Sequence, residues 1–219
     1  MNPFLIVGVV LVLILGVAFG VWRRPNAPPP VEPPSAERVA LRALALAASV
    51  ARAHVEAAAV TEKKLPLEEA ERHRAALDAW LRREQLTEQL TEREQAWVEA
   101  PVGKLGKDGL LEASWCAEGL AVLLWAMSAA PAPPPDGVEV EPGSLLERVP
   151  AVGTDVGPFV AASALRPPEE VAAAAERTES RYDDACRDDF GSRVASRPMS
   201  IAMERRRAYR WLSGESARY

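Results

Sequence analysis

Apolar and polar residues recur with a helical period over most of the chain after residue 35. The first periodic segment, residues 35–59, opens on Ser35, a residue type favoured as a helix N-cap. It then places Val39, Leu46 and Val50 at helical spacing among many alanines. Because alanine has the highest helix propensity, this segment is predicted to be a helix.

The same reasoning predicts five more helices. The second opens after Pro66 with acidic residues and closes on Arg82 and Arg83, the charge order that the helix dipole favours. In the third, Thr91 and Glu94 have the spacing of a capping box. These predicted helices cover residues 67–84, 91–100, 109–129, 168–190 and 200–212.

Residues 136–168 lack a sustained period and contain repeated Gly and Pro, which predicts irregular chain with one or two short helices. No alternating strand pattern longer than a few residues occurs along the chain. We therefore predict an all-α fold in which residues 35–219 form a single domain of five to seven helices.

The N-terminal segment predicts a membrane anchor within residues 1–24. Residues 3–22 contain no charge, and a helix of that length spans roughly 30 Å of lipid hydrocarbon. Arg23 and Arg24 follow directly, so the positive-inside rule places residues 23–219 in the cytoplasm. The alternative is a cleaved signal peptide, with Ala18 and Gly20 as small residues of the cleavage site and a periplasmic domain. No Lys or Arg precedes the apolar run, which favours the anchor.

Residues 25–34 predict a stiff spacer between this anchor and the domain. The stretch PNAPPPVEPP holds six prolines in ten positions. Proline-rich chain adopts an extended conformation without internal hydrogen bonds. The lipid bilayer is therefore the one partner that the sequence indicates directly, through residues 3–22.

Composition and motifs exclude several kinds of chemistry. The net charge of −5 argues against a nucleic-acid partner, which requires an excess of clustered Lys and Arg. Cys116 and Cys186 lack metal-binding or redox spacing, and we interpret them as free thiols. No nucleophile elbow, Walker loop or dinucleotide fingerprint occurs, so no cofactor is predicted.

The stretch SWCAEGLAVLLWAM, residues 114–127, contains the most unusual side chain of the sequence. It is apolar on nearly every side, which predicts a central helix. Glu118 shares a face with Trp115 and Trp125 and is therefore expected to be at least partly buried. Beside it, Cys116 is interpreted as a small core residue.

A buried carboxylate needs a partner of opposite charge. The candidates are Arg42 in the first helix and Arg205, Arg206 and Arg207 in the last. Three interpretations remain open for Glu118. It forms a structural ion pair, or it is exposed near the helix start, or it is a catalytic or ligand-binding carboxylate in a pocket between the tryptophans.

Several motifs resemble the DUF4272 family of uncharacterised bacterial proteins. The run W-x-x-E-x-x-x-x-L-L-W-A spans residues 115–126, and L-T-E-x-E precedes Trp97. Further similar stretches are R-A-L-A-L at 42–46, A-L-R-P-P-E-E-V at 164–171 and E-R-R-x-A-x-x-W-L at 204–212. Near Tyr182 this chain reads RYDDAC, where the family tends to have a His and Trp pair. The resemblance implies a helical fold and brings no reaction with it.

Two functions are compatible with these features. The first is a membrane-anchored interaction module that binds another protein at the cytoplasmic membrane face. The alternative is an enzyme or small-ligand-binding domain with a pocket around Glu118, lined by Trp115 and by Arg42, Arg205 or Arg207.

Overall fold

The computed structural model describes residues 32–135, 137–189, 196–216 and 219. Every regular element in this part of the chain is helical, so the predicted all-α class is confirmed. The described residues form eight α-helices, one more than the predicted upper bound, because both short helices expected in residues 136–168 form beside the six longer ones. They are α1 Ala36–Glu56, α2 Leu67–Arg83, α3 Glu92–Glu99, α4 Gly106–Ala126, α5 Pro142–Leu146, α6 Gly157–Ala161, α7 Pro168–Asp188 and α8 Arg197–Leu212.

The predicted membrane anchor at residues 3–22 and the first part of the spacer, residues 25–31, lie outside the described residues. Residues 32–34 are described and have no regular secondary structure. Residues 32–219 form one compact unit by themselves.

Side-chain capping marks the start of two of the long helices, α1 and α8. The Ser35 side chain accepts a hydrogen bond from the backbone N–H of Arg38 at 3.2 Å and starts α1 as predicted. Helix α8 starts three residues earlier than predicted, because Ser196 caps it and Pro198 occupies its first turn. Helix α1 continues beyond Glu56 into a π-helical turn, Ala57–Thr61.

The core forms around α1 and α4, which pack along one another. Small residues on α1, such as Ala40, Ala43 and Ala47, are almost fully buried against α4. Leu120 and Leu124 of α4 fill the space that these alanines leave. The sequence of α4 is apolar on nearly every side. More than one of these sides is buried, because α8 as well as α1 packs on α4.

A second apolar cluster lies on a neighbouring side of α1. Leu44 and Ala48 of α1 contact Trp80 and Leu81 of α2. The indole N–H of Trp80 donates to the carbonyl of Thr154 at 2.8 Å, which fixes the irregular segment before α6 to the domain. Helix α7 packs chiefly on α8.

Two helical stretches among the described residues are long and apolar enough to cross a membrane, Ala36–Thr61 and Gly106–Ala126. They contain the central helices α1 and α4, and 67% of each apolar window is buried inside the domain. A core helix has the same apolar pattern, and both stretches carry charged side chains that the domain pairs internally.

The start of α3 provides a test of the capping prediction. The Thr91 hydroxyl accepts from the Glu94 N–H at 3.2 Å, and the Glu94 carboxylate accepts from the Thr91 N–H at 2.8 Å, so the capping box forms. Replacing Thr91 with alanine should lower the free energy of unfolding by about 1 kcal/mol. Urea denaturation measures this effect, and Thr91→Ser should retain most of the stability because it keeps the hydroxyl. An equal loss in both variants would contradict the capping role.

Candidate functional site

Glu118 lies in the middle of α4 and pairs with Arg205 of α8. Both side chains are almost fully buried, with residue exposures of 2% and 4%. Arg205 Nε donates to Glu118 Oε2 at 2.8 Å, and the Val140 backbone N–H donates to Oε1 at 2.9 Å. Both oxygens of the carboxylate are therefore engaged by the protein itself.

The guanidinium of Arg205 also binds the loop between α4 and α5. Its two terminal nitrogens donate to the carbonyls of Pro134 and Val138, each at 2.8 Å. Burial raises the pKa of Glu118, and the Val140 N–H and Arg205 act against this shift. A planar guanidinium can hold three acceptors at fixed angles, so the pair positions α4, α8 and the loop relative to one another.

The other candidate partners of Glu118 bind elsewhere. Arg42 donates two hydrogen bonds to Glu94, at 2.7 and 2.6 Å, and a further one to the carbonyl of Gln89. Arg207 pairs with Glu204, its neighbour on the same helix, at 3.1 Å. Arg206 forms a double contact with Glu179. Arg205 is thus the arginine that reaches Glu118.

The structure does not bring the two tryptophans of α4 into one pocket. Trp125 lines a groove beside Arg205, whereas Trp115 lines a separate cavity together with Arg42 and Arg207. Ten residues of helix separate them, which is roughly 15 Å along the axis. Glu118 lines neither space. A pocket between the tryptophans with Glu118 at its centre is therefore not formed.

The groove beside Arg205 has a volume of about 500 Å³. Trp125 and Tyr209 form its aromatic part, and their rings meet edge to face with centroids 5.8 Å apart. Arg177 and Arg181 of α7 contribute two exposed cations to its wall. Residues 132–135 of the loop that Arg205 holds form its other side.

A smaller cavity of about 180 Å³ lies between α3, α4 and α8. Cys116, Glu204 and Tyr219 are among its lining residues. Burial raises the pKa of the Cys116 thiol far above its ordinary value, so the sulfur stays protonated. Since the thiolate is the nucleophile, Cys116 is unsuited to nucleophilic chemistry here. Both cysteines are free thiols, as predicted.

A second buried ionic network was missed by the sequence analysis. Arg52 has no exposed surface and donates to Glu56 at 2.9 Å on the same helix. Glu56 also accepts from the backbone N–H groups of Gly103 and Leu105, which lie in the turn between α3 and α4. The i, i+4 spacing of Arg52 and Glu56 was the available signal, but it does not by itself distinguish a buried pair from an exposed one.

The pair of Arg206 and Glu179 joins α7 to α8, and it makes stability depend on pH. The two hydrogen bonds, at 2.5 and 2.7 Å, lower the pKa of Glu179 below its ordinary value. A carboxyl whose pKa is lowered on folding stabilises above about pH 4.5 and loses this contribution as the pH falls through the lowered pKa. Because the pair is partly exposed, we expect a loss below about 1 kcal/mol.

Urea denaturation at pH 7 and pH 3 checks this prediction. Glu179→Gln should reduce the difference in unfolding free energy between the two pH values, whereas Glu176→Gln on the exposed side of the same helix should leave it unchanged. The same difference in both variants would contradict the role of the pair.

Asp184 and Asp188 lie four residues apart on α7, a spacing at which two carboxylates can share a metal ion. Among the described residues, no third ligand joins them. Asp184 instead pairs with Arg187. In the described part of the chain, no group of three His, Cys, Asp or Glu side chains is arranged to hold a metal ion.

The fold and its buried Glu–Arg pair define a compact all-helical domain. The sequence model of one family, described as a domain of unknown function (DUF4272), matches residues 25–219. The chain therefore belongs to the DUF4272 family. No curated protein and no solved structure matches the chain significantly.

Proposed function

We propose that this protein is a single-pass inner-membrane protein whose helical domain binds a protein partner at the cytoplasmic face. The uncharged segment 3–22 followed by Arg23 and Arg24 supports the anchor and its orientation. The proline-rich stretch after it supports a spacer that holds the domain away from the lipid headgroups.

The observation that carries the binding role is the groove between residues 132–135 and α7. It combines the aromatic surface of Trp125 and Tyr209 with Arg177 and Arg181. Aromatic residues and arginine are the types most enriched in the energetically important parts of protein interfaces. The groove is lined by the exposed side chains of Arg177 and Arg181 and by a single carboxylate, Asp184, so its local charge favours an acidic segment of the partner.

The buried position of Arg205 supports the same assignment. Arg205 lines the groove and donates hydrogen bonds to the carbonyls of Pro134 and Val138. The conformation of the groove wall is therefore fixed before a partner binds. A pre-formed surface loses less conformational entropy on binding. Glu118 lies behind this wall with both oxygens occupied, and we assign it no direct contact with partner or substrate.

A pair of charge-reversal variants tests the groove. Full-length protein is extracted in detergent from cross-linked membranes, and the cross-linked partner is quantified by mass spectrometry. Arg177→Glu with Arg181→Glu should reduce the yield at least about ten-fold, because both contacts become repulsive. Arg72→Glu with Arg82→Glu changes the charge equally on exposed positions of α2 and should retain the partner. Equal yields from the two double variants would refute the groove assignment.

The anchor is tested separately. N-terminal sequencing of the membrane-extracted protein should return the start of the chain, and a mature chain beginning at Val21 would instead establish signal cleavage. A reporter that is active only in the cytoplasm, fused after Tyr219, should be active. An inactive reporter would contradict the orientation, whatever the groove experiment shows.

A further inference from the structure

The ring of Tyr219 occupies a pocket between α1, α4 and α8. The guanidinium carbon of Arg42 lies 4.7 Å from the ring centroid, which is a cation–π contact. The Trp211 ring meets it edge to face, with centroids 5.8 Å apart and an interplanar angle of 78°. On the α4 side, a Cβ atom at Gly119 would overlap the Tyr219 hydroxyl. The pocket is therefore shaped for a flat aromatic ring.

The hydroxyl of Tyr219 is poorly matched to this pocket. Its oxygen is buried and has no hydrogen-bond partner among the described residues. Burial also raises the pKa of this hydroxyl well above its ordinary value, so it remains neutral. A buried hydroxyl without a partner loses the hydrogen bonds that it makes in water. An aromatic ring without a hydroxyl would fit the same walls without this loss.

Tyr219 also lines two spaces, an open cleft of about 680 Å³ and the 180 Å³ cavity. Both are lined by Arg42, Thr91, Arg93 and Tyr219. Because Tyr219 lines the open cleft, an external ring can approach the Tyr219 position from that cleft once the Tyr219 side chain moves aside.

We infer that this pocket is a binding site for an aromatic ring without a ring hydroxyl, such as a phenyl group, and that Tyr219 occupies it in the free protein. The incoming ring takes the place of Tyr219 against Arg42, Trp211 and Gly119. The Tyr219 hydroxyl then returns to water and recovers its hydrogen bonds. The groove proposed above as the partner site is lined by different residues, so the two proposals stand or fall separately.

Fluorine NMR of the full chain in detergent tests the exchange. Labelling with 3-fluorotyrosine marks the three tyrosines, Tyr182, Tyr209 and Tyr219, and Tyr219→Phe assigns the third signal. Titration with N-acetylphenylalaninamide should move the Tyr219 signal to its solvent position and leave the other two in place. For a ligand of this size we expect a Kd on the order of 1 mM. N-acetyltyrosinamide should bind at least about five-fold more weakly, because its hydroxyl would be buried without a partner.

A third probe distinguishes the two sources of such a ring, a small aromatic molecule and a phenylalanine side chain. Benzyl alcohol carries the ring without peptide groups. If it binds as tightly as N-acetylphenylalaninamide, the ligand is a small aromatic molecule. If the amide binds at least about ten-fold more tightly, the peptide groups contribute and the ligand is a phenylalanine side chain of a protein segment.

Variants at position 219 should change the affinity in a fixed order. Tyr219→Ala removes the internal competitor and should tighten binding of N-acetylphenylalaninamide at least about ten-fold. Tyr219→Phe supplies a better internal occupant and should weaken it at least about five-fold relative to the natural chain. This second variant keeps the test valid if Tyr219→Ala lowers the stability of the domain.

Gly119→Ala places a methyl group where the Tyr219 hydroxyl lies, 2.9 Å from the ring carbon that carries it. It should move the Tyr219 signal to its solvent position without any ligand. It should also weaken binding of N-acetylphenylalaninamide, alone and in combination with Tyr219→Ala, because a ring in the same position must shift away from the methyl group. Gly109→Ala is the matched control on the same helix, because its Cβ would meet Leu105 Cγ at an ordinary 3.4 Å. A Tyr219 signal that stays in place at saturation, or equal affinity in the natural chain and Tyr219→Ala, would overturn the proposal.

Discussion

Replacing Arg205 with methionine should lower the free energy of unfolding by about 3–5 kcal/mol. Methionine retains most of the side-chain volume but leaves Glu118 as a carboxylate, 2% exposed and without its cation. It also frees the carbonyls of Pro134 and Val138 from their donor. For a domain of this size, the loss corresponds to a fall in Tm of roughly 6–20 °C. Urea denaturation followed by tryptophan fluorescence measures it.

Arg207→Met is the matched control for this experiment. Arg207 lies two positions further along α8, but its side chain is 52% exposed and pairs with Glu204 on the same helix. Its replacement should cost less than about 1 kcal/mol. Glu118→Gln should also destabilise, because it leaves the Arg205 charge buried alone. Unaltered stability of Glu118→Gln would contradict the structural role of the pair and return Glu118 to the ligand-binding interpretation.

Glu56→Ala should produce a loss of similar size, about 3–5 kcal/mol. The carboxylate accepts from Arg52 and from the backbone N–H groups of Gly103 and Leu105. Without it, the fully buried guanidinium of Arg52 keeps its bond to the Ala100 carbonyl but loses its counter-charge, and two amides of the turn before α4 lose their acceptor. We also expect amide hydrogen exchange in residues 102–106 to accelerate, because Glu56 holds this turn against α1.

Glu68→Ala gives a direct comparison with Glu56→Ala. Glu68 pairs with Arg72 at the same distance, 2.9 Å, and the same i, i+4 separation, but both side chains are mostly exposed. This exposed pair should contribute at most about 0.5 kcal/mol. Equal losses in the two variants would show that burial does not set the strength of the Arg52–Glu56 network.

The helices were predictable wherever a local signal marked their start. Ser35 and the capping box of Thr91 and Glu94 depend on residues within one turn, so the sequence alone specifies them. The start of α8 has the same kind of signal, Ser196 followed by Pro198, although residue 200 was predicted as its start. The π-helical end of α1 has no such marker in the sequence.

The partner of Glu118 could be narrowed to a few arginines by sequence, because a buried carboxylate requires a cation. The choice among three consecutive arginines depends on the rotation of α8, since neighbouring residues point about 100° apart on a helix. Arg205 does fall on the same helical stripe as Ile201, Ala208 and Leu212, all of which are buried. That periodicity was a usable signal. Arg42 with Glu94 had none, because the whole of α2 and the segments on either side of it separate their helices along the chain.

The separation of 87 residues between Glu118 and Arg205 has a consequence for protein synthesis. At about 5–20 residues per second, roughly 4–17 s pass after Glu118 is translated before Arg205 is added. During this interval the nascent chain holds an apolar central helix of the domain with an uncompensated carboxylate near its middle. The helix α4 can therefore be buried with its charge paired only after α8 has left the ribosome. Chains truncated before residue 205 should be recognised as unfolded by cellular proteases.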